Sequence, residues 1–199
     1  MKADLILGSS SPFRAQLLHN AGLTFQATAA EIDERAVEAS LQDSDMDGAD
    51  LAELLALAKA QDVSERSPDS VVIGADQTLT LQGQQLHKPS DMEAARRQLL
   101  MLSGETHRLN AAVCLVRNGT VLWQHTGVAE LTMRKLDPGF VRRHLSAVGD
   151  VALTSVGAYQ LEGQGIQLFD RINGDYFTIL GLPLLPLLDA LRAHGVIDG

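Results

Sequence analysis

Cysteine is nearly absent from this chain of 199 residues, where Cys114 stands alone. One thiol excludes an internal disulfide and fits a reducing cytoplasm, the compartment expected here. It lies in Ala111-Ala112-Val113-Cys114-Leu115-Val116, the pattern of a buried strand, so a packed thiol is expected rather than a nucleophile. Long apolar runs are missing too. Nothing approaches the roughly 20 residues of a membrane span. Met1-Lys2-Ala3-Asp4 leads into only a short apolar run, so neither a membrane segment nor a secretory signal is expected. Basic surplus is the third absence: 16 Lys and Arg face 25 Asp and Glu, for a net charge of −9. Residues 31–69 hold twelve acids against Arg35, Lys59 and Arg66, which accounts for that charge and leaves the remainder neutral. No basic face is available, so a nucleic acid polymer is excluded as partner, whereas a small anion gripped by a few local cations is not. No internal repeat or linker interrupts the chain, and 45% hydrophobic with 21% charged residues suits one globular domain over 1–199.

The stretch that organises the rest is Val71-Val72-Ile73-Gly74-Ala75-Asp76-Gln77-Thr78, with His87-Lys88-Pro89 downstream. Three β-branched residues before Gly read as a buried strand reaching its end, which places Asp76 at or just past that end. Chemistry in α/β proteins gathers there, and an acid in that position can hold a metal or take a proton from water. Lys88, held by Pro89, is a fixed cation that a turn brings back toward it. These residues alone leave equally open an Asp that closes a turn and a solvated Lys.

From the start, Asp4 to Gly8 reads as a first strand. Ser11 suits an N-cap and Pro12 the first helical position, for a helix to about Ala21 that Gly22 ends. Strand, serine-rich turn and helix N-terminus make a natural phosphate cradle, to which Arg14 adds a forked cation. Phe25 to Ala29 reads as a second strand. Asp43-Ser44-Asp45-Met46-Asp47-Gly48 resembles the start of a calcium loop but carries Leu54 where the twelfth position requires Glu, so a flexible acidic loop capping the next helix is expected. That helix spans about Ala49 to Ser64 and buries Leu51, Leu54, Leu55 and Ala58. Lys59 falls at the edge of this face, either in a cleft or as a snorkelling surface lysine. Thr78 to Leu86 reads as a hairpin, Asp91 to Leu102 as an amphipathic helix stopped by Ser103-Gly104, and 106–117 with 120–134 as a hairpin through Asn118-Gly119. A helix follows from Asp137-Pro138 to about Ala147, then a loop from Thr154 to Gln167. Tyr176 to Leu180 reads as the last strand, and Leu184, Leu187, Leu188 and Leu191 as a closing helix.

Ser9-Ser10-Ser11-Pro12-Phe13-Arg14, Lys59-Ala60, Ile73-Gly74-Ala75-Asp76, Lys88-Pro89, Leu102-Ser103-Gly104 with His107, Gly157-Ala158-Tyr159 and Gly181-Leu182-Pro183-Leu184 occur in the order and spacing of the Maf family. The chain resembles that family over nearly its whole length. The resemblance implies an α/β fold similar to the inosine-triphosphatase group, with a mixed twisted sheet, flanking helices and two lobes around a cleft. It implies a cytoplasmic nucleoside triphosphate pyrophosphatase that cleaves between the α- and β-phosphates with a divalent cation, Mg or Mn. Family members are often dimers, so a homodimer is implied as well. By position, Asp76 corresponds to the proton acceptor and Glu34 to an acid beside metal and water, which makes this pair the implied metal ligands. Arg14, Lys59 and Lys88 correspond to cations around the phosphates, with Ser9 and Ser11 in the first loop. The unaided reading agrees, since a triphosphate needs fixed cations, a metal and a positioned water.

Three positions depart from the branch that hydrolyses dTTP and UTP. That branch has two arginines after Ser-Pro, Thr after the catalytic Asp, and Ile-Gln-Gly further on. Here stand Phe13-Arg14-Ala15, Gln77, and Leu161-Glu162-Gly163. All three resemble the 7-methyl-GTP branch, as does Gly165-Ile166-Gln167-Leu168-Phe169-Asp170-Arg171. Methylation at N7 makes guanine cationic, which suits stacking on Phe13 and hydrogen bonding of its N1–H and amine to Glu162. The alternatives are packing of Phe13 against Leu17 and a solvated loop acid at Glu162. Ala15 replaces a second arginine, and Leu153-Thr154-Ser155-Val156-Gly157 lacks an Asp-Lys pair common in the family. The rival functions are the same reaction on another or a broad set of nucleotides, dTTP and UTP among them, and a non-catalytic nucleotide-binding regulator.

Overall fold

The computed structural model describes residues 4–40 and 45–198. Residues 1–3, with the reading of the N-terminus, lie outside it, as do Asp43 and Ser44 at the head of the calcium-loop-like run. The strands are β1 (Leu5–Gly8), β2 (Gln26–Ala27), β3 (Val71–Leu81), β4 (Gln84–Leu86), β5 (Thr106–Arg117), β6 (Thr120–Met133) and β7 (Phe169–Asn173). The helices are α1 (Pro12–Asn20), α2 (Glu34–Ala39), α3 (Gly48–Arg66), α4 (Met92–Leu102), α5 (Pro138–Val148), α6 (Tyr176–Ile179) and α7 (Leu184–Ala193). The strands form one seven-stranded sheet in the order β2-β1-β3-β5-β6-β7, with β4 against β3. It is mixed: β1 pairs parallel with β2 and β3, while β3–β4 and β6–β7 are antiparallel. A mixed α/β fold with flanking helices is thus as expected. The chain divides into two compact units, one of residues up to Gln77, 110–127 and 176 onward, the other of 78–109 and 128–175.

In the first unit, β3 is buried on both faces, and its alternation sorts two helical layers. Val71, Ile73 and Ala75 pack with Leu17 and Leu18 of α1 and with Leu187 and Leu191 of α7. Val72 faces the other way, with Ala52, Ala56, Ala60 and Val63 of α3 and with Cys114. Leu7, Leu18, Ile73 and Leu187 are fully buried, and burial of such a side chain contributes about 1.5–3 kcal/mol. Ser11 caps α1 by accepting the Arg14 N–H at 3.4 Å, and Asp47 with Asp50 forms a capping box at the start of α3. Helix α3 comes very close to β3 at Gly74. A Cβ there would lie 2.2 Å from the Ala56 carbonyl oxygen and 2.6 Å from the Ala60 Cβ, so only glycine fits. Asn118 and Gly119, at φ of 49° and 71°, close the β5–β6 hairpin, as their positive φ preference requires.

In the second unit, Gln82 and Gly83, at φ of 50° and 80°, turn the end of β3 into β4. Asp91 caps α4 and Asp137 caps α5, which opens on Pro138. The Arg134 guanidinium lies 4.2 Å from the centre of the Phe140 ring, and its Nε donates to the Gln167 carbonyl at 2.7 Å. His107, Tyr159 and Phe169 form an aromatic cluster in which the His107 Nε2 and the Tyr159 hydroxyl are 2.7 Å apart.

Four sequence expectations need correction. Strand β3 does not end near Gly74 but runs unbroken to Leu81, so Asp76 sits in mid-strand. The missing Cβ of Gly74 serves helix packing, not chain reversal. Residues 176–179 form a short helix, and the last strand is Phe169–Asn173, whose alternation was hidden in polar sequence. Expected strand Phe25 to Ala29 shrinks to Gln26–Ala27 at the sheet edge. On α3 the buried stripe is Leu51, Ala52, Leu55, Ala56, Lys59, Ala60 and Val63; Leu54 and Ala58 are only half-buried. The small alanines, not the larger Leu54, meet the sheet because the approach at Gly74 is so close.

Candidate active site

The charged centre of the first unit follows from that approach. Val72, Gly74 and Asp76 alternate onto the α3 side of β3, and Lys59 lies on the α3 stripe facing them. Its ammonium donates to the Asp76 Oδ1 at 2.5 Å and pairs with the Glu34 Oε1 at 2.7 Å. The Lys59 and Asp76 side chains are 11% and 10% exposed, Glu34 49%. One cation therefore bridges a buried and a half-exposed carboxylate. Glu34 reaches it from the first position of α2, whose N-cap Asp33 accepts the Ala36 N–H at 3.0 Å. Lys59 is thus a buried ion-pair partner, not a snorkelling surface lysine.

Burial pushes the Asp76 carboxyl above the usual carboxylate range; Lys59 and Arg14 pull it down and Glu34 adds repulsion. Such a carboxylate is a stronger base than an exposed one while still ionisable, the property a proton acceptor for water needs.

Arg14 lies in the first turn of α1 and is buried. Its Nε donates to the Gly181 carbonyl at 2.8 Å, and one terminal nitrogen donates to the Ala75 carbonyl at 3.0 Å and the Ser9 Oγ at 3.1 Å. Ser9 Oγ also accepts the Ser11 N–H at 3.2 Å. Burial lowers the guanidinium pKa from its ordinary value, and the charges of Asp76 and Glu34 oppose this. Arg14 is accordingly a clamp that ties the serine turn, β3 and the Gly181 turn together. Sequence reasoning missed this role. The signal was its spacing of three and four from Leu17 and Leu18, which puts it on the buried face of α1.

Gln77, next along β3, donates through Nε2 to the Thr178 and Ile179 carbonyls at 3.1 and 3.0 Å. Its amide nitrogen holds the end of α6, and its Oε1 remains the group facing Gly181, where an added Cβ would sit 3.3 Å away. Phe13 is half-buried beside Arg14, and Ala15, in place of a second arginine, packs on the core. Ser9, Ser11, Phe13, Arg14, Glu34, Lys59, Asp76 and Gln77 all belong to the first unit. Lys88 and Glu162 belong to the second, and both are exposed. Lys88 follows β4 beside the buried Pro89. Glu162 lies in a tight loop where the Gly163 N–H donates to the Gln160 carbonyl, and where a Cβ on Gly165 would lie 2.4 Å from that same oxygen.

A profile described as Maf-like protein matches residues 4–194. The chain belongs to the Maf family. Among its relatives, a protein of Mesorhizobium japonicum named 7-methyl-GTP pyrophosphatase is 61% identical over 199 residues, 100% of both chains. One of Brucella abortus biovar 1 with the same name is 60% identical over the same span. A Maf relative from Nitrobacter hamburgensis, named nucleoside triphosphate pyrophosphatase, is 50% identical over 194 residues, covering 98% of this chain and 95% of that one.

The implied divalent metal can be tested against these side chains. Among the described residues no group of three or more His, Cys, Asp or Glu could hold a metal ion. Mg²⁺, however, is usually held by one or two carboxylates, with substrate phosphates and water completing the shell. Asp76 and Glu34 already direct oxygens at one cationic nitrogen, so they fit a hard divalent ion shared with a phosphate chain. No helix among the described residues is long and apolar enough to cross a membrane.

Proposed function

We propose that this Maf chain hydrolyses a nucleoside triphosphate between the α- and β-phosphates, giving a nucleoside monophosphate and pyrophosphate, with 7-methyl-GTP as preferred substrate. The observation that carries the reaction is the buried Lys59–Asp76 pair with Glu34 beside it. The nucleotide rests on full-length relatives at 60–61% identity that bear that name, together with Phe13, Gln77 and Glu162. Water adds across the anhydride, Asp76 accepts its proton, and pyrophosphate leaves carrying the electrons of the broken P–O bond. Lys59 supplies fixed positive charge where charge develops, and Lys88 is assigned the same duty toward the phosphates. Arg14, whose Nε and one terminal nitrogen are taken by backbone carbonyls and Ser9, shapes the serine turn whose N–H groups and hydroxyls receive phosphate oxygens, and is itself assigned to the phosphates as a buried cation. A Mg²⁺ or Mn²⁺ held by Asp76 and Glu34 supplies neutralisation of phosphate charge when bound.

For the base, Phe13 provides a ring face for the cationic purine and Glu162 an acceptor pair for its N1–H and amine. The setting proposed is the cytoplasm, in keeping with the single buried thiol of Cys114. The broader name of the Nitrobacter relative favours one second reading, the same reaction on a wider set of nucleotides. A non-catalytic regulator would not need a general base, so the placement of Asp76 beside Lys59 and Glu34 favours catalysis. The test is a panel of 7-methyl-GTP, GTP, dTTP and UTP with Mg²⁺ or Mn²⁺, assayed for monophosphate and pyrophosphate. Release of orthophosphate instead, or no turnover of any of them, refutes the proposal; equal kcat/KM across the panel leaves the second reading.

A further inference from the structure

Lys59 stands at the position shared by the two carboxylates proposed to hold the metal. Its ammonium is 2.5 Å from Asp76 and 2.7 Å from Glu34 and is almost wholly screened from water. Arg14 adds a second buried positive charge that acts on both carboxylates. Two cations thus balance two anions, and the site is neutral before any ligand arrives. A divalent ion entering alone would compete with the Lys59 ammonium for the same oxygens and leave two uncompensated positive charges in a poorly hydrated place. Such charge is strongly disfavoured unless it is paired. A triphosphate entering with the ion removes both obstacles, because its oxygens neutralise the excess and offer the displaced ammonium a new partner.

From this we infer that Lys59 is an internal competitor of the metal, which couples metal loading to triphosphate binding. The ammonium holds Asp76 and Glu34 in the free enzyme and passes to phosphate when metal and nucleotide bind together. The inference rests on the proposed pyrophosphatase reading and adds an order to it: the free protein binds divalent cations weakly, and the triphosphate is what admits them. By reciprocity the cation must tighten triphosphate binding by the same factor.

The test is a titration of Mn²⁺ into the full chain without nucleotide, with free Mn²⁺ read by electron paramagnetic resonance. Lys59→Met keeps the length and apolar stem of the side chain but removes the charge. We expect it to bind Mn²⁺ at least about tenfold more tightly than the wild type, within the 5–150-fold typical of coupled sites. Adding Asp76→Asn to Lys59→Met should abolish the gain. Lys59→Gln, which keeps a donor for both carboxylates, provides the same comparison should the Met variant not fold, as judged by circular dichroism. Equal or weaker Mn²⁺ binding by the Lys59 variants overturns the inference. So does a gain that survives Asp76→Asn, since the ion would then lie elsewhere. Hydrolysis of 7-methyl-GTP by the wild type is scored separately. Turnover without tighter Mn²⁺ binding by the variants removes the inference and keeps the function; tighter binding by the variants without wild-type turnover keeps Lys59 as the competitor of the metal and removes the pyrophosphatase reading together with the coupling to triphosphate.

Discussion

Gly74→Ala tests whether the contact between α3 and β3 builds the charged centre. The added methyl would lie 2.2 Å from the Ala56 carbonyl oxygen, 2.6 Å from the Ala60 Cβ and 3.0 Å from the Cys114 Sγ. Two of these neighbours are a helix backbone and a Cβ, neither of which can rotate away. Restoring ordinary contact requires α3 to withdraw by roughly 1 Å. Overpacking of this kind costs about 1–3 kcal/mol. The same movement draws the Lys59 backbone from Asp76, and misplacement by about 1 Å can cost on the order of 10² in rate. Urea unfolding at pH 7.5 gives the stability, and pyrophosphate release from 7-methyl-GTP gives kcat. Gly83→Ala is the control. Gly83 has φ of 80° and nothing within 4 Å of an added Cβ, so backbone strain of about 1–2 kcal/mol is expected with kcat unchanged. If Gly74→Ala matches the wild type in both stability and kcat, the close approach does not position Lys59, and the account of the centre fails.

Asp76→Asn should lower kcat by about 10²–10⁴ while nucleotide binding persists, and more than about a tenth of the wild-type rate would remove Asp76 from the base role. Because burial raises the Asp76 pKa and the ionised form is the base, kcat/KM should fall as pH drops through a value above the ordinary Asp range of about 3.9; an acid limb at or below that range contradicts it. Glu162→Gln should cost 7-methyl-GTP about 1–3 kcal/mol in kcat/KM and UTP much less, and equal losses would end the specificity assignment. His107 is buried against the Tyr159 hydroxyl, and burial lowers its pKa from 6.5 to about 4. Unfolded chains therefore bind more protons between these values, and stability present above pH 6.5 is lost as pH falls toward 4. Urea midpoints at pH 7.5 and 5 should show His107→Gln losing about 2 kcal/mol less than the wild type over that interval; identical losses would show that His107 is not the group responsible.

The local sequence determined most of the elements, because their signals are short-range. Ser11-Pro12 and Asp137-Pro138 start helices through a cap and a preset φ, and Asn118-Gly119 closes a hairpin through positive φ. Asp76 and Lys59 stood out by residue type and position, and Glu34 only through the resemblance to the Maf family. Their meeting was not legible, for it depends on a helix-to-strand distance set by one absent methyl at Gly74, and no periodicity records that. The same gap explains two misread elements. Beyond Gly74 the chain looked like a turn, whereas β3 lies between β1 and β5 in the sheet and runs on to Leu81. Residues 176–179 looked like a strand, whereas they form a short helix whose Thr178 and Ile179 carbonyls accept from Gln77 of β3. Arg14 shows the limit most plainly. Its charge suggested a phosphate contact, but the acceptors that hold its Nε and one terminal nitrogen, from Ser9, Ala75 and Gly181, are set by tertiary packing. A charged side chain announces its chemistry in the sequence, but its partners come from parts of the chain that only folding brings within hydrogen-bond reach.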